Sequence, residues 1–363
     1  MSKLFEKVIQ PALFRLDAER AHELGIKALE LGLARPARVS DEEKSRIKEV
    51  FGHITRFGLE FENPLGIAAG FDKNAIVVDQ IAALGFGFVE VGTVTYEAQP
   101  GNPKPRLFRL PDDKALINRL GFNNEGATVI AARLSMRKHE CVVGVNIGRN
   151  KDVDNDDAIA NYLQTFNTVH AAADYIAINV SSPNTPNLRE LQSPENLELL
   201  ISELQKRNRQ LGFKPLLVKI APDLTVDEID AIVDLCIRLG LSGIIATNTT
   251  TSRDGLKTLN AEKFGAGGLS GRPLAARSNQ VIAQIYRHSK GKLPIVGVGG
   301  VFTGQDAFDK IAAGASLVQA YTGFIYTGPS FAGRVVSGLA DILKQRGFRS
   351  IDEAVGSAAP GGQ

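Results

Sequence analysis

Between Leu65 and Thr322 one pattern of apolar and polar positions repeats along the chain. A short run rich in Val and Ile gives way to a cluster of Gly, Asn, Thr or Ser, and then to a segment whose apolar residues recur at helical spacing. There are eight such runs: LGIAAG (65–70), FGFVEVG (86–92), CVVGVNI (141–147), DYIAINV (174–180), PLLVKIA (215–221), SGIIATN (242–248), PIVGVGG (294–300) and SLVQAYT (316–322). Strands alternating with helices argue for a parallel sheet, and continuous apolar runs argue for strands covered on both faces. Eight strand–helix units predict a (β/α)8 TIM barrel, with an open doubly wound sheet as the rival. The polar clusters then fall at the C-terminal ends of the strands, the face on which barrel enzymes assemble their sites. The fourth run is followed by SSPNTPN (181–187), which has no aliphatic or aromatic side chain other than proline and becomes a loop facing that site.

Two pieces lie outside this repeat. HITRFGLEFEN (53–63) alternates around Gly58 and predicts a hairpin over the closed end of the barrel. Residues 1–52 read as a small N-terminal helical domain. Leu4, Phe5, Val8, Ile9 and Ala12 form one stripe, continued by Leu13, Phe14 and Leu16, and Ala21, Leu24, Ala28 and Leu31 form a second. Such stripes suit either a cap packed on the barrel or an amphipathic pair set into a membrane interface. The barrel itself is expected to span 53–350, leaving 351–363, which ends in GSAAPGGQ, as a flexible tail.

Composition narrows the function without naming it. With 44% hydrophobic and 23% charged residues the chain is an ordinary globular protein, and its net charge of +2, from 42 basic and 40 acidic residues, gives no footprint for nucleic acid. Cys141 and Cys236 lack any CxxC partner and read as buried free thiols of a reducing compartment. His22, His53, His139, His170 and His288 never adopt a metal-binding spacing, so no metal is expected. The N-terminus lacks a continuous apolar signal core, and no run approaches the ~18 apolar residues that span a bilayer. Those features fit a cytosolic chain or one lying on a membrane from the cytosolic side.

Candidate chemistry clusters at the ends of the runs. Gly297, Gly299 and Gly300 close the seventh run, and Tyr321, Thr322 and Gly323 close the eighth. Barrels often bind phosphate at that position, because glycine backbone lets N–H groups approach the anion. Ala68, Ala69 and Gly70 leave room for a flat ring against backbone, with Lys73 just beyond. Lys219 stands inside the apolar run LLVKIA, where an unpaired ammonium costs several kcal/mol, so it requires an anionic partner or a polar ligand. Asn118, Asn146, Asn179, Asn184 and Asn248 recur at strand ends. Amides offer both donors and acceptors and suit a planar heterocycle with alternating C=O and N–H groups.

The segments AAGFDKN, EVGTVTYEAQPGNPKPRLFRL, INRLGFNN, GVNIGRNK, INVSSPNTPNLREL, VKIAPDL, IIATNTT, GGLSGRP, GVGG and IAAGASLVQAYTGF, in this order over about residues 60–345, resemble the dihydroorotate dehydrogenases. The resemblance implies a (β/α)8 flavoprotein that oxidises dihydroorotate to orotate in pyrimidine synthesis. It implies FMN held by Ala69, Gly70, Thr93, Asn146, Asn179, Lys219 and Thr247, with its phosphate on Gly271, Gly300, Tyr321 and Thr322. Orotate would be held by Lys73, Asn118, Asn179, Asn184, Asn248 and Thr249, and closed in by Arg119, Leu120, Gly121 and Phe122. The base that removes the C5 proton would be Ser182, passing it on through Thr185 or water, while hydride leaves C6 for flavin N5.

Serine at the base position and the extra N-terminal residues resemble the quinone-linked, membrane-associated class 2 enzymes; the cytosolic forms carry cysteine there. On that resemblance the segment LDAERAHELGIKAL is a quinone-tunnel helix, with His22, Arg106 and Tyr321 lining the path to the flavin. The same resemblance implies a monomer attached peripherally to the cytoplasmic face of the inner membrane, with a membrane quinone as its second substrate. The competing readings are a cytosolic fumarate- or NAD-linked dihydroorotate dehydrogenase, another FMN barrel such as a 2-hydroxy-acid oxidase or a dihydrouridine synthase, and a catalytically dead barrel that only binds a phosphorylated ligand. A 2-hydroxy-acid oxidase would want a catalytic histidine at a strand end and a dihydrouridine synthase a basic surface; neither feature is present.

Overall fold

A computed structural model describes residues 5–34, 41–138 and 141–359. Leu4, residues 35–40, His139 and the last four residues of the expected tail lie outside the described residues. All eight runs are strands of one closed parallel barrel, in the order β3 (Leu65–Ile67), β4 (Phe88–Val94), β7 (Val142–Ile147), β8 (Tyr175–Asn179), β9 (Leu216–Ile220), β10 (Gly243–Ala246), β12 (Ile295–Val298) and β13 (Leu317–Ala320). The closing pair is β13 with β3, Val318 opposite Leu65. Every residue of these strands is buried, as continuous apolar runs require when helices cover one face and the bore is filled. The doubly wound alternative is thereby excluded.

Local sequence starts the covering helices where the strands demand them. Thr225 and Glu228 form a capping box on Val226–Arg238, and Thr303 and Asp306 form another on Gly304–Ala312. At the other end of the barrel, β1 (Ile54–Arg56) and β2 (Leu59–Phe61) form the expected hairpin. Its two turn residues, Phe57 and Gly58, both have positive φ, the arrangement that matches strand twist in a tight hairpin. Phe61 meets the Phe88 ring edge-to-face at 5.3 Å, closing the N-terminal mouth.

A third sheet lies outside the expected elements. The strands β5 (Leu107–Leu110), β6 (Ala115–Asn118) and β11 (Gly268–Gly271) pair antiparallel, in the order β11-β6-β5, over the C-terminal rim. It has its own small core of Leu110, Ala115, Ile117 and Leu269. The signal was present in LFRL-PDDK-ALIN, two apolar runs about a Pro-Asp-Asp turn, but it does not belong to the strand–helix repeat.

The N-terminal helices are α1 (Gln10–Phe14), α2 (Ala18–Glu30) and α3 (Asp41–Phe51), with Asp17 capping α2 through its side chain. The expected stripe of α2 divides between two faces. Ala21 and Ala28 face inward with His22 and Gly25, whereas Leu24 and Leu31 are exposed at 49% and 72%. Residues 351–359 depart from the tail expectation. Ile351 and Ala354 are buried in a short helix, and Gly356 and Ala358 donate backbone hydrogen bonds to Ile311 and Ala312.

Candidate active site

The bore of the barrel is polar beneath its C-terminal rim. Glu90 of β4 is fully buried and accepts hydrogen bonds from Asn146 Nδ2 (2.9 Å), Tyr175 OH (3.0 Å) and Gln319 Nε2 (2.7 Å), with Lys219 Nζ at 3.6 Å. Lys219 thus has the anionic partner its position requires. From Asn146 the network climbs: its Oδ1 accepts from Thr93 Oγ1 (2.6 Å) and Asn179 Nδ2 (3.1 Å), and Asn179 Oδ1 accepts from Asn248 Nδ2 (3.3 Å). The amides at successive strand ends form one connected set, each orienting the next.

Above this network lies a pocket of about 140 Å³. It brings together Ala69, Gly70, Lys73, Thr93, Asn118, Leu120, Gly121, Phe122, Asn179, Ser182, Asn184, Lys219, Thr247, Asn248, Thr249, Gly271, Gly300, Tyr321 and Thr322. Two expected residues are not among its lining. Asn146 is wholly buried below and orients Thr93. The Arg119 guanidinium turns away, donating to the carbonyls of Phe264, Ala266 and Pro105 and stacking on Phe108, so only its place in the turn serves the pocket. Sequence reasoning missed Ser270, whose hydroxyl meets Thr322 Oγ1 at 2.8 Å on the glycine side of the pocket.

The SSPNTPN loop is held from three directions. Arg189 donates to Ser181 O (3.2 Å) and Thr249 O (3.2 Å) while pairing with Asp223 (2.9 Å), tying this loop to the one after β10. Asn102 Nδ2 reaches Asn184 O at 3.1 Å, and Arg149 Nη2 reaches Pro186 O at 2.6 Å. Within the loop Ser182 Oγ accepts from the Asn184 N–H (3.2 Å), and Thr185 Oγ1 is buried with no partner among the described residues. Burial pushes the Lys73 ammonium down to about 8, with Glu19 the strongest opposing charge.

A second cavity, about 300 Å³, lies between α1, α2 and the barrel rim. Its walls are apolar except for His22, Arg109, Tyr321 and Ser330, and it shares Leu107, Leu116 and Tyr321 with the polar pocket. His22 packs edge-on against Phe71 at 5.1 Å; burial, reinforced by the Lys73 charge, lowers its pKa to about 3 and leaves it neutral. Arg106, expected here, does not line the cavity. It is buried against Glu19 of α2 (Nη2 to Oε1, 2.7 Å) and donates to Pro100 O and Asn102 O. Burial alone would raise the Glu19 carboxyl, but the hydrogen bonds and charge of Arg106 outweigh it and hold that carboxyl below its ordinary range. The arginine on the wall is Arg109, three residues on, which stacks over Phe14 at 4.8 Å and donates to carbonyls at the end of α1.

Fold and pockets together define a (β/α)8 barrel enzyme whose polar strand-end site abuts an apolar cavity. Residues 53–343 match the family model described as dihydroorotate dehydrogenase. The chain is 49% identical over 359 residues to the dihydroorotate dehydrogenase (quinone) of Gloeobacter violaceus, covering 97% of this chain and 98% of the relative. It is 48% identical over 357 residues to the protein of the same name from Roseiflexus sp., covering 96% and 97%. Among solved structures, a ligand-free dihydroorotate dehydrogenase from Eimeria tenella superposes with a TM-score of 0.86 at 40% identity, covering 94% of this chain and 99% of that one. A second Eimeria tenella structure, in complex with ferulenol, gives the same TM-score at 39% identity, covering 94% and 95%. The chain belongs to the dihydroorotate dehydrogenase family, and its relatives here are quinone-linked enzymes.

Proposed function

We propose that this chain oxidises dihydroorotate to orotate on FMN held in the polar pocket and passes the electrons to a membrane quinone entering through the apolar cavity. The observation that carries the reading is the meeting of the two cavities at Tyr321, Leu107 and Leu116, with Ser182, two lysines and four asparagines on the polar side. The donor set fits a phosphorylated flavin. Small residues at 68–70 admit a ring, Lys219 offers a donor to its polar edge beside the hydrogen-bonded Thr93–Asn179 pair, and the glycines at 271 and 300 with Thr322 offer an anion cradle. When bound, FMN supplies the two-electron acceptor for the hydride leaving C6 and the donor for the quinone.

The rest is the work of the chain's own residues. Lys73 holds the substrate carboxylate, and Asn118, Asn184, Asn248 and Thr249 pair with the ring amides. Ser182 takes the proton from C5, and the Thr185 hydroxyl, which has no partner among the described residues, is the next group in line to receive it. On the quinone side Arg109 replaces Arg106 as the cationic wall residue, beside His22 and Tyr321. No described helix is long and apolar enough to cross a membrane. Val8, Ile9, Leu16, Leu24, Leu31 and Leu33 of the N-terminal segment are exposed, which supports peripheral attachment through this face. A membrane at the cytoplasmic face and a monomeric state complete the reading.

The test is spectroscopic. Anaerobic dihydroorotate should bleach the yellow of the purified protein, and a quinone added afterwards should restore it. Bound flavin that stays yellow would reject the substrate, and bleached flavin that quinone fails to recolour would reject the acceptor.

A further inference from the structure

Beneath the pocket, four side chains converge on the Glu90 carboxylate. Asn146 Nδ2, Tyr175 OH, Gln319 Nε2 and Lys219 Nζ all face it, and each can donate a hydrogen bond. With Lys219 the carboxylate forms a buried ion pair, and the other three groups hold it as their acceptor. Lys219, 6% exposed at its side chain, spans from this carboxylate to the pocket wall. Its charge is therefore shared between Glu90 below and whatever lies in the pocket above.

We propose that Glu90 is a positioning residue that sets how much of the Lys219 charge reaches the bound flavin, and thereby sets the flavin's reduction potential. The proposal rests on the reading of the pocket as a flavin site. Reduction adds negative charge to the ring, so a full positive charge at Lys219 favours the reduced form, and a carboxylate drawing that charge away opposes it. A buried ion pair adds little to stability compared with a well-packed apolar pair, whereas Lys219 faces the pocket directly.

Glu90→Gln removes the charge while keeping the shape. Gln319 Oε1 is buried without a partner among the described residues, and a flip of that amide lets it accept from the new one. The experiment measures the reduction potential of FMN bound to the full-length wild type, Glu90→Gln and Tyr175→Phe proteins by equilibration with a reference dye. In Glu90→Gln the reduction equilibrium should move toward reduced flavin by about tenfold, about 30 mV for a two-electron couple.

Tyr175→Phe takes one donor from the carboxylate, so Glu90 draws more strongly on Lys219 and the equilibrium should move the other way, by about twofold. That second variant answers the question if Glu90→Gln does not fold. A potential unchanged or lowered in Glu90→Gln, or raised in Tyr175→Phe, overturns the proposal and leaves the flavin site standing. Weaker FMN binding at an unchanged potential would also overturn it, since that is the mark of a purely structural role. A wild type that takes up no FMN would instead remove the flavin reading, and the proposal with it.

Discussion

The two cavities meet at the same three side chains yet are built by opposite means. The polar pocket is assembled at the C-terminal ends of barrel strands, where Asn146 is held by backbone pairing on both sides, Asn179 by pairing with Lys219, and Thr93, at the register shift of β4, by its hydrogen bonds to Asn146 and Asn179. The apolar cavity is walled by helices from both ends of the chain, and its shape comes from what is missing. Ala18, Ala21, Gly25 and Ala28 present small surfaces where larger residues would have closed the space. One region is specified by the groups it contains and the other by the volume it leaves, so they should fail in different ways when altered.

The largest effect is expected in the polar pocket. Ser182→Ala removes the one hydroxyl that lines the pocket from the SSPNTPN loop, and the loop remains held by Arg189, Asn102 and Arg149. Anaerobic stopped-flow reduction by dihydroorotate should slow by about 10²–10⁴-fold, the range for loss of a general base, with flavin content unchanged. Reduction at the wild-type rate would exclude Ser182 from the mechanism.

The apolar cavity should respond to filling rather than to loss of a group. A Cβ added at Gly25 meets nothing within 4 Å, and that residue sits mid-helix facing the space. Gly25→Phe should therefore be accommodated, and replacing a glycine inside a helix should stabilise the protein by about 0.5 kcal/mol. The same side chain occupies the quinone path, so kcat/KM for a long-chain quinone should fall by about tenfold or more, about 1.4 kcal/mol. Bleaching by dihydroorotate should be untouched. Quinone turnover unaffected by Gly25→Phe would show that the acceptor enters elsewhere.

This contrast also explains what the sequence disclosed. Barrel strands announce themselves by continuous apolar runs, and a polar residue at the end of such a run has few places to point. The rim asparagines, Lys73 and Lys219 were legible on that basis; the family resemblance supplied their roles and picked Ser182 out of its loop. The rule that picks out Lys219, a polar group within an apolar run, applies equally to Glu90 in FGFVEVG and to Gln319 in SLVQAYT, and in the bore Lys219 and Gln319 both meet the Glu90 carboxylate. Arg106 and Arg109 show the opposite limit. Both lie in PRLFRL, and only the packing of α1 and α2 decides that the first pairs with Glu19 while the second faces the cavity. The same holds for α2, where helical periodicity puts Ala21 and Leu24 on one stripe but cannot tell that a cavity, rather than a packed core, lies beneath.

The smallest expected effect separates the two regions by pH. Lys73 titrates near 8 because burial disfavours its charge, whereas His22, buried on the other side of the same wall, has been pushed to about 3 and stays neutral at any working pH. An orotate carboxylate beside Lys73 favours the ammonium, so binding raises the lysine's pKa and takes up a proton whenever the free protein has lost it. Affinity for orotate should then be flat below about pH 8 and fall above it, by up to about tenfold per pH unit until the pKa of the complex is reached. Quinone kinetics on pre-reduced enzyme should show no bend between pH 5 and 8, since the histidine has no proton to lose. Titrating orotate against the flavin spectrum from pH 6 to 10 measures the first, and Lys73→Met should abolish the bend while weakening binding throughout. A bend that survives in Lys73→Met would assign it to another group and leave the substrate carboxylate without its proposed partner.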